Sequence, residues 1–231
     1  MNPITQPYVE AYLQTLLPHR TGLLAQMEEK ARAQQVPIIT PEVAALMETL
    51  IKTTQSRHIL EVGTAIGYSA ILFCLAAGPE SRLITIERDL QLIDTARQYI
   101  EKAGFANQIK VMPGDATEVL PCLTETVDMI FLDGAKGHYN QMLPHCLKLL
   151  KPGGLLISDN VLFRGMVADD AMVKRRKKTI VTRMRTYLQT ITTHPQLQTS
   201  LLPIGDGLAI SLKLHKSSNN LNDGGSHESV K

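Results

Sequence analysis

Acidic and amide side chains follow two separate apolar runs in the second half of the chain. The first run ends in Asp133-Gly134-Ala135-Lys136 and the second in Ser158-Asp159-Asn160. If the two runs are neighbouring strands, oxygen donors from Asp133, Asp159 and Asn160 meet at one edge of the sheet. Hard-oxygen donors of this kind suit Mg²⁺, or a similar cation such as Mn²⁺ or Ca²⁺, better than zinc, which favours His and Cys. The alternative is that each Asp caps the segment after its strand.

A turn containing two glycines follows an earlier apolar run. Residues 58–62 lead into Gly63-Thr64-Ala65-Ile66-Gly67, and a helical pattern follows. The glycines are four residues apart, so the dinucleotide fingerprint G-x-G-x-x-G is absent, and a nucleoside joined to an amino acid fits better than a pyrophosphate. The next run ends in Glu87, about twenty residues further on, where a carboxylate can accept both hydroxyls of a cofactor ribose. A tight strand-to-helix turn is the simpler alternative.

A third candidate position follows the next apolar run, at Gly114-Asp115-Ala116. The Asp115 side chain and the backbone amide of Ala116 can read the edge of an adenine at the same rim of the sheet. An Asp that caps a helix beginning at Ala116 is an equally good explanation, and the two roles are compatible.

Short apolar runs alternate with helix-length amphipathic segments, which is typical of βαβ units and a parallel sheet. The pattern predicts strands over residues 58–62, 83–87, 109–112, 127–133, 155–159, 199–203 and 208–214. The last two flank Gly205-Asp206-Gly207, which has the composition of a hairpin turn. We therefore expect a Rossmann-like α/β fold with a mostly parallel sheet and an antiparallel C-terminal strand at its edge.

The chain has a length and an apolar content that suit one domain, which we place at residues 1–215. Helical spacing over 8–17 and 21–35, and a helix opened by Thr40-Pro41-Glu42, predict N-terminal helices within residues 1–53 that cover the sheet. A longer amphipathic helix is predicted over 169–193. Residues 216–231 are polar and rich in Gly, Ser and Asn, so we expect a disordered tail.

Composition excludes little by itself. The formal net charge is +2, so a polyanionic partner is neither demanded nor ruled out. Cys74, Cys122 and Cys146 show no metal-ligand spacing and are interpreted as reduced, mostly buried thiols. The N-terminus has no pattern of a signal peptide, and no run of eighteen apolar residues occurs, so we expect a cytoplasmic protein without a membrane contact.

The motifs EVGTAIGYSAI, TIERD, GDA, FLDGAKGHY and ISDNVLFRG, in this order, resemble the catechol and caffeoyl-CoA type of O-methyltransferase. The resemblance covers roughly residues 36–214, and the paired DGAK and DN motifs are those of the metal-dependent branch. It implies a seven-stranded methyltransferase sheet, S-adenosylmethionine as cofactor, a divalent metal and often a homodimer.

The same resemblance implies a role for individual residues. It makes Asp133, Asp159 and Asn160 the metal ligands and Lys136 the general base, with Asp133 close to both metal and cofactor. A charged Lys136 that stabilises the alkoxide or is simply solvated is the alternative. For the cofactor the resemblance implies the backbone of Ile39, then Glu61, Gly63 and Ser69 near the methionine moiety, Glu87 at the ribose, and Asp115 and Ala116 at the adenine.

One branch of the family is more similar still. DNVLFRGMVADD, the following basic run and HPQLQTSLLPIGDGLAIS resemble bacterial tRNA 5-hydroxyuridine methyltransferases. This predicts tRNA as a partner, with Arg164 and the run Lys174, Arg175, Arg176, Lys177 and Lys178 contacting its phosphates. The alternatives are a small phenolic substrate, with the basic run as a solvated helix face, or a non-catalytic binding protein.

Overall fold

The computed structural model describes residues 5–215, and its centre is one seven-stranded sheet. The strands are β1 (His58–Val62), β2 (Arg82–Glu87), β3 (Ile109–Pro113), β4 (Val127–Leu132), β5 (Leu150–Ser158), β6 (Leu197–Leu202) and β7 (Leu208–Lys213). Their order across the sheet is β3-β2-β1-β4-β5-β7-β6. Neighbours among the first five strands pair in parallel, whereas β7 is antiparallel to both β5 and β6. The predicted α/β fold is confirmed.

The antiparallel C-terminal strand lies inside the sheet and not at its edge. The chain passes β5, forms the outer strand β6, and returns as β7 between the two. The burial of the two strands follows from this order. β7 has a neighbour on each side and is buried at Leu208 and Ala209, whereas most of β6 at the edge is exposed or half-buried. The more apolar strand takes the position with two neighbours.

Strand β5 begins earlier than the sequence pattern predicts. Pro152-Gly153-Gly154 indicates a turn, which placed the predicted start at residue 155. In the structure Leu150 already pairs with Val127, and a register shift lets the chain pass the glycines before pairing resumes at Leu155. The irregular pairing is what a β-bulge accommodates.

Helices cover both faces of the sheet. They are α1 (Pro7–Leu16), α2 (Gly22–Gln34), α3 (Pro41–Thr54), α4 (Tyr68–Ala77), α5 (Leu90–Lys102), α6 (Ala116–Val119), α7 (Tyr139–Leu149) and α8 (Lys178–Thr193). Because successive side chains of a strand point to opposite faces, Ile59 of β1 joins the core beneath α2 to α5, and Leu60 joins the core beneath α6 to α8.

The N-terminal helices differ in how they are held. Helices α2 and α3 bury apolar side chains in the core, whereas α1 contributes no buried residue. Helix α1 is attached by polar contacts. Gln14 Nε2 donates to Glu42 Oε1 (2.8 Å), and Thr5, just before the helix, donates from Oγ1 to the Pro203 carbonyl (3.2 Å). Thr40 occupies the predicted cap position of α3, but its side chain makes no capping bond.

The long helix predicted over 169–193 is wrong in its first third. Helix α8 begins at Lys178, and residues 170–172 and 175–177 form two separate 3₁₀ turns. The Asp169 side chain accepts a bond from the Ala171 amide (2.8 Å), which starts the first turn. Five consecutive cationic side chains over 174–178 also repel one another in a helix.

Two further expectations concern the ends of the chain and the membrane. The predicted tail, 216–231, lies outside the described residues. Within residues 5–215, no helix combines the length and apolarity needed to cross a bilayer.

Candidate active site at the carboxyl ends of the strands

The predicted site residues lie at one rim of the sheet because the backbone ladder continues just past the strands. The amide of Gly63 donates to the Ile86 carbonyl (3.0 Å), and the amide of Asp133 donates to that of Val62 (2.9 Å). In the same way the Asp159 amide donates to the Leu132 carbonyl (2.8 Å). These bonds fix the loops after β1, β4 and β5 side by side. The carboxyl ends of parallel strands are the usual ligand edge of such sheets.

Asp133 and Asp159 form a pair of carboxylates at the ends of β4 and β5. Asp159 is 3% exposed, and the side chain of Asp133 is 23% exposed. Burial and the charge of Asp159 raise the pKa of Asp133, and burial also raises the pKa of Asp159. Lys136 partly offsets this, with Nζ 3.8 Å from Asp133 Oδ1. A buried and a half-buried carboxylate with one lysine beside them are electrostatically suited to a divalent cation.

Asn160 adds an amide oxygen to this pair. It has a left-handed backbone (φ +59°), and its amide N–H donates to Asp159 Oδ1 (2.6 Å). Its side-chain Oδ1 accepts a bond from Lys136 Nζ. Lys136 Nζ therefore donates to the same oxygen that is predicted to bind the metal, so Lys136 and a metal ion would compete for Asn160 Oδ1. Within residues 5–215, no group of three or more His, Cys, Asp or Glu side chains is arranged to hold a metal. The predicted set is smaller than such a group, because it contains two carboxylates and one amide.

Glu61 is the most deeply buried acid at the rim. It is 0% exposed, and burial raises its pKa to about 7 against the opposing effect of the Ser69 and Thr85 hydroxyls. Oε2 accepts a bond from Thr85 Oγ1 (2.5 Å), while Oε1 has no partner among residues 5–215. A buried acceptor without a donor is costly. The unpaired oxygen fits the ammonium group of an amino-acid cofactor.

Glu87 ties the end of β2 to the glycine turn. Oε2 accepts from the Ala65 amide (3.1 Å), and Oε1 accepts from the amides of Arg88 (2.9 Å) and Asp89 (3.0 Å). The carboxylate thus shapes the turn in addition to its predicted ribose role. A carboxylate has about four acceptor sites, so these three bonds leave one site, on Oε2, for a hydroxyl donor.

Gly63 is required by loop packing. Its φ is +105°, and a Cβ at this position would lie 3.0 Å from the backbone C of Asp133 and the N of Gly134. The resemblance predicts that Gly63 also lies near the methionine moiety of the cofactor, and that role stays a prediction. In the structure the loops after β1 and β4 touch at this glycine, which brings the glycine turn against the acidic pair.

Of the remaining predicted cofactor residues, Asp115 and Ala116 follow β3 at the same rim, and Ser69 of α4 lies beside Glu61. Ile39 belongs to the core beneath α2 to α5. The Asp115 side chain caps α6 by accepting from the Thr117 amide (2.9 Å), and the Thr117 contacts lower its pKa. Ala116 and Ile39 are each 5% exposed, and Ser69 is 7% exposed. The capping role of Asp115 is confirmed.

Comparison with known proteins agrees with this geometry. The family model described as O-methyltransferase matches residues 19–214. The chain belongs to this O-methyltransferase family. A catechol O-methyltransferase of Niastella koreensis is 34% identical over 168 residues, which cover 70% of this chain and 76% of that protein.

Solved methyltransferases share the fold. The O-methyltransferase TomG from Streptomyces achromogenes, in complex with SAM, has a TM-score of 0.79 at 27% identity and covers 90% of this chain and 96% of its own. The O-methyltransferase from Bacillus cereus, in complex with SAH, has a TM-score of 0.79 at 26% identity, with 89% and 97% covered. The predictions of the family and of a SAM-dependent O-methyltransferase are confirmed.

Two residues of the methyltransferase rim were not predicted. Asp206, assigned to a hairpin turn, accepts a bond from the Arg164 amide, and its charge raises the pKa of Asp159. The Nδ1 atom of His138 is buried without a hydrogen-bond partner in the described part of the chain. Sequence spacing carries no signal for Asp206, because only the position of β7 beside β5 brings it here.

The basic run of the methyltransferase is exposed and lies beside the loop after β5. All five residues from Lys174 to Lys178 are exposed, as is Arg164. Lys177 Nζ lies 5.9 Å from the centre of the Phe163 ring, which connects the run to that loop. Arg185 of α8 secures the same segment by donating to the Val167 carbonyl (2.9 Å).

Proposed function

We propose that this methyltransferase methylates a hydroxyl group that has a second oxygen beside it, using a divalent cation held by Asp133, Asp159 and Asn160. The observation that supports this proposal is the pair of carboxylates at adjacent strand ends. They are largely buried, and Lys136 lies beside them. A bound Mg²⁺ would supply a Lewis-acid charge that lowers the pKa of a chelated hydroxyl and fixes its direction. Mn²⁺ or Ca²⁺ would suit the same donors.

The cofactor S-adenosylmethionine would lie along the rim from β1 to β4. The unpaired Glu61 Oε1 would accept from its ammonium group, with Gly63, Ser69 and the Ile39 backbone around the methionine moiety. Glu87 would bind the ribose hydroxyls, and the turn at Asp115 and Ala116 would bind the adenine. This order would bring the methyl group next to Asp133, because Gly63 packs closely against the Asp133 backbone.

Lys136 would handle the proton of the acceptor. In the neutral form its Nζ takes the hydroxyl proton, and the acceptor oxygen attacks the methyl carbon of the sulfonium. An O–C bond forms, the C–S bond breaks, and its electron pair stays on sulfur as a neutral thioether. A charged Lys136 would instead stabilise the alkoxide. Holding the oxygen in line behind the methyl group supplies much of the acceleration.

A small phenolic acceptor such as a catechol is the acceptor best supported. It offers two adjacent oxygens to the cation, and the relative from Niastella koreensis is named a catechol O-methyltransferase. The second candidate is 5-hydroxyuridine at the wobble position of tRNA, whose C5 hydroxyl neighbours the C4 carbonyl. The five exposed cationic side chains beside the loop after β5 favour this candidate.

The deciding experiment is methyl transfer from radiolabelled S-adenosylmethionine with Mg²⁺, comparing a catechol with tRNA that carries 5-hydroxyuridine, each with and without EDTA. We expect label in the catechol that EDTA abolishes. Label that resists EDTA in both acceptors would contradict the metal proposal. EDTA-sensitive label in tRNA alone would replace the phenolic proposal with the tRNA candidate.

A variant of the basic run sharpens the distinction between the acceptors. Replacing Arg175, Arg176 and Lys178 by Gln removes three exposed charges and keeps the contact of Lys177 with Phe163 in the loop after β5. For a phenolic acceptor the rate stays within about twofold of wild type. For tRNA the affinity falls, and the slope of log affinity against log salt concentration decreases by about 3, which corresponds to about three lost phosphate contacts.

We further propose a homodimer and a cytoplasmic location. The dimer is supported by the exposed apolar face of α1, where Tyr8 is 74% and Leu16 63% exposed. The location is supported by three free cysteines, of which Cys74 and Cys146 are buried and Cys122 is exposed.

A further inference from the structure

The loop after β5 has an unusual backbone. Over residues 160–165, the φ angles of Asn160 (+59°), Phe163 (+45°), Arg164 (+56°) and Gly165 (+78°) are all positive. Three of these residues carry a Cβ, and the left-handed region is strained for Phe163 and Arg164, whereas asparagine tolerates it more easily. Such a conformation persists only where neighbouring contacts hold it. The first residue of the loop is the predicted metal ligand Asn160.

The turn between β6 and β7 supplies the contacts. The Val161 amide donates to the Gly207 carbonyl (2.9 Å), and the Leu162 amide donates to the Asp206 carbonyl (3.0 Å). The third bond comes from a side chain, since the amide of Arg164 donates to Asp206 Oδ1. A Cβ on Gly207 would lie 2.4 Å from Leu162, so the turn and the loop are in close contact.

The Asp206 carboxylate is also within electrostatic reach of the acidic pair. Burial raises the pKa of Asp159, and the charge of Asp206 adds to this effect. Burial also raises the pKa of Asp206, and the charge of Lys136 lowers it. Lys136 in turn donates to Asn160 Oδ1. One carboxylate therefore connects the strained backbone of the loop with the groups proposed to bind the metal.

We propose that Asp206 is a positioning residue, whose Oδ1 holds the loop 160–165 in the strained conformation that presents the Asn160 amide oxygen to the metal. The inference rests on the metal site proposed above. It assigns to the hairpin turn a role in metal binding, although Asp206 need not touch the metal. The property of Asp206 that matters for this role is the acceptor oxygen that it offers to the Arg164 amide, and its negative charge matters less.

The first test needs no metal. Hydrogen exchange of the amides of residues 161–165 is measured in the full chain for wild type, Asp206→Ala and Asp206→Asn. We expect at least tenfold faster exchange in Asp206→Ala, which lacks the acceptor, and near wild-type exchange in Asp206→Asn, whose amide oxygen keeps it. Asp169→Asn, which removes an exposed negative charge nearby in the chain, is the matched control and leaves exchange unchanged.

The second test measures Mn²⁺ affinity by paramagnetic resonance, with S-adenosylmethionine affinity as the reference. Asp206→Ala should weaken Mn²⁺ binding about tenfold, Asp206→Asn less than threefold, and neither should change cofactor affinity. Adding Arg164→Gly to Asp206→Ala should return Mn²⁺ affinity to within about threefold of wild type. Glycine adopts a positive φ without the penalty, so the loop no longer needs the bond.

The outcomes separate this inference from the proposed function. Wild type that fails to bind Mn²⁺ would remove the metal proposal, and the exchange experiment would still decide whether Asp206 holds the loop. Equal exchange in Asp206→Ala and wild type overturns the inference, as does an equal loss of Mn²⁺ affinity in Asp206→Asn and Asp206→Ala. If Asp206→Ala does not fold, the double variant decides, because a tenfold loss of Mn²⁺ affinity there also overturns it.

Discussion

Glu61 shows how one buried residue can make cofactor binding depend on pH. Its pKa is raised to about 7, so in the free protein near pH 6 it is mostly protonated. Binding an ammonium group at the unpaired Oε1 requires the charged form, and the proton must be released. If S-adenosylmethionine binds there as proposed, its affinity rises with pH up to about 7 and levels off above it. A carboxyl group of ordinary pKa would already be charged at pH 5.5.

We predict that S-adenosylmethionine affinity increases about tenfold between pH 5.5 and pH 7, the range below the titration of the cofactor amine. Glu61→Gln, which cannot titrate, should bind more weakly at pH 7 and show no such rise. Isothermal titration at several pH values provides both curves. Parallel pH profiles for wild type and Glu61→Gln would rule out Glu61 as the titrating group.

The rim also predicts opposite effects for two acidic residues. Asp159→Ala should lower methyl transfer by about 100-fold or more and leave cofactor affinity within about threefold, because Asp159 belongs to the proposed metal site. Glu87→Ala should weaken the cofactor first, since it removes both the ribose acceptor and the bond to the Ala65 amide. Single-turnover rates and equilibrium binding separate the two. Near wild-type turnover by Asp159→Ala would contradict the metal mechanism.

At the scale of elements, the contact between the β6–β7 turn and the loop after β5 makes a measurable contribution to the free energy of unfolding. Gly207 (φ +87°) has no space for a Cβ, which would meet Leu162 at 2.4 Å. Gly104 has a similar φ of +80°, but nothing lies within 4 Å of its Cβ position. The two glycines therefore separate the cost of a clash from the cost of the backbone conformation.

We predict that Gly104→Ala lowers the free energy of unfolding by about 1 kcal/mol, the cost of a left-handed alanine. Gly207→Ala should cost about 2–4 kcal/mol, because overpacking adds to the same strain. Urea unfolding of both variants gives the difference. Equal losses would mean that the turn and the loop separate easily, which the close packing does not allow.

The sequence was most informative where chemistry and element ends coincide. Asp133 and Asp159 could be predicted to meet, since each follows a buried parallel strand and such strand ends share one edge. Asp206 could not, because its turn comes 47 residues after Asp159 in the chain and reaches the rim only through the placement of β7. The prediction of one helix over 169–193 was wrong at its start. The apolar spacing continues through these residues, but the Asp169 cap and the repulsion among the cationic side chains favour two 3₁₀ turns there.

For the whole molecule, the seven strands and their mostly parallel pairing could be predicted from the alternation of apolar runs and amphipathic segments, whereas the role of α1 could not. Its spacing is that of an amphipathic helix that covers the sheet. In the structure it buries no residue and exposes Tyr8, Tyr12 and Leu16, which lie four residues apart on one face. A helix of ten residues is marginal in water without a packed face. A second copy of the chain would provide one.

We therefore predict that light scattering gives twice the 25.5 kDa mass of the chain, and that Tyr12→Glu with Leu16→Glu gives a single-chain mass. In a two-fold interface each substitution acts twice, so two charges per chain place four in the contact. Leu90→Glu is the matched control, because Leu90 is 69% exposed on α5, and the dimer should persist. A wild type that runs as a single chain, or a dimer that survives both substitutions on α1, would show that this helix is stabilised by its own chain.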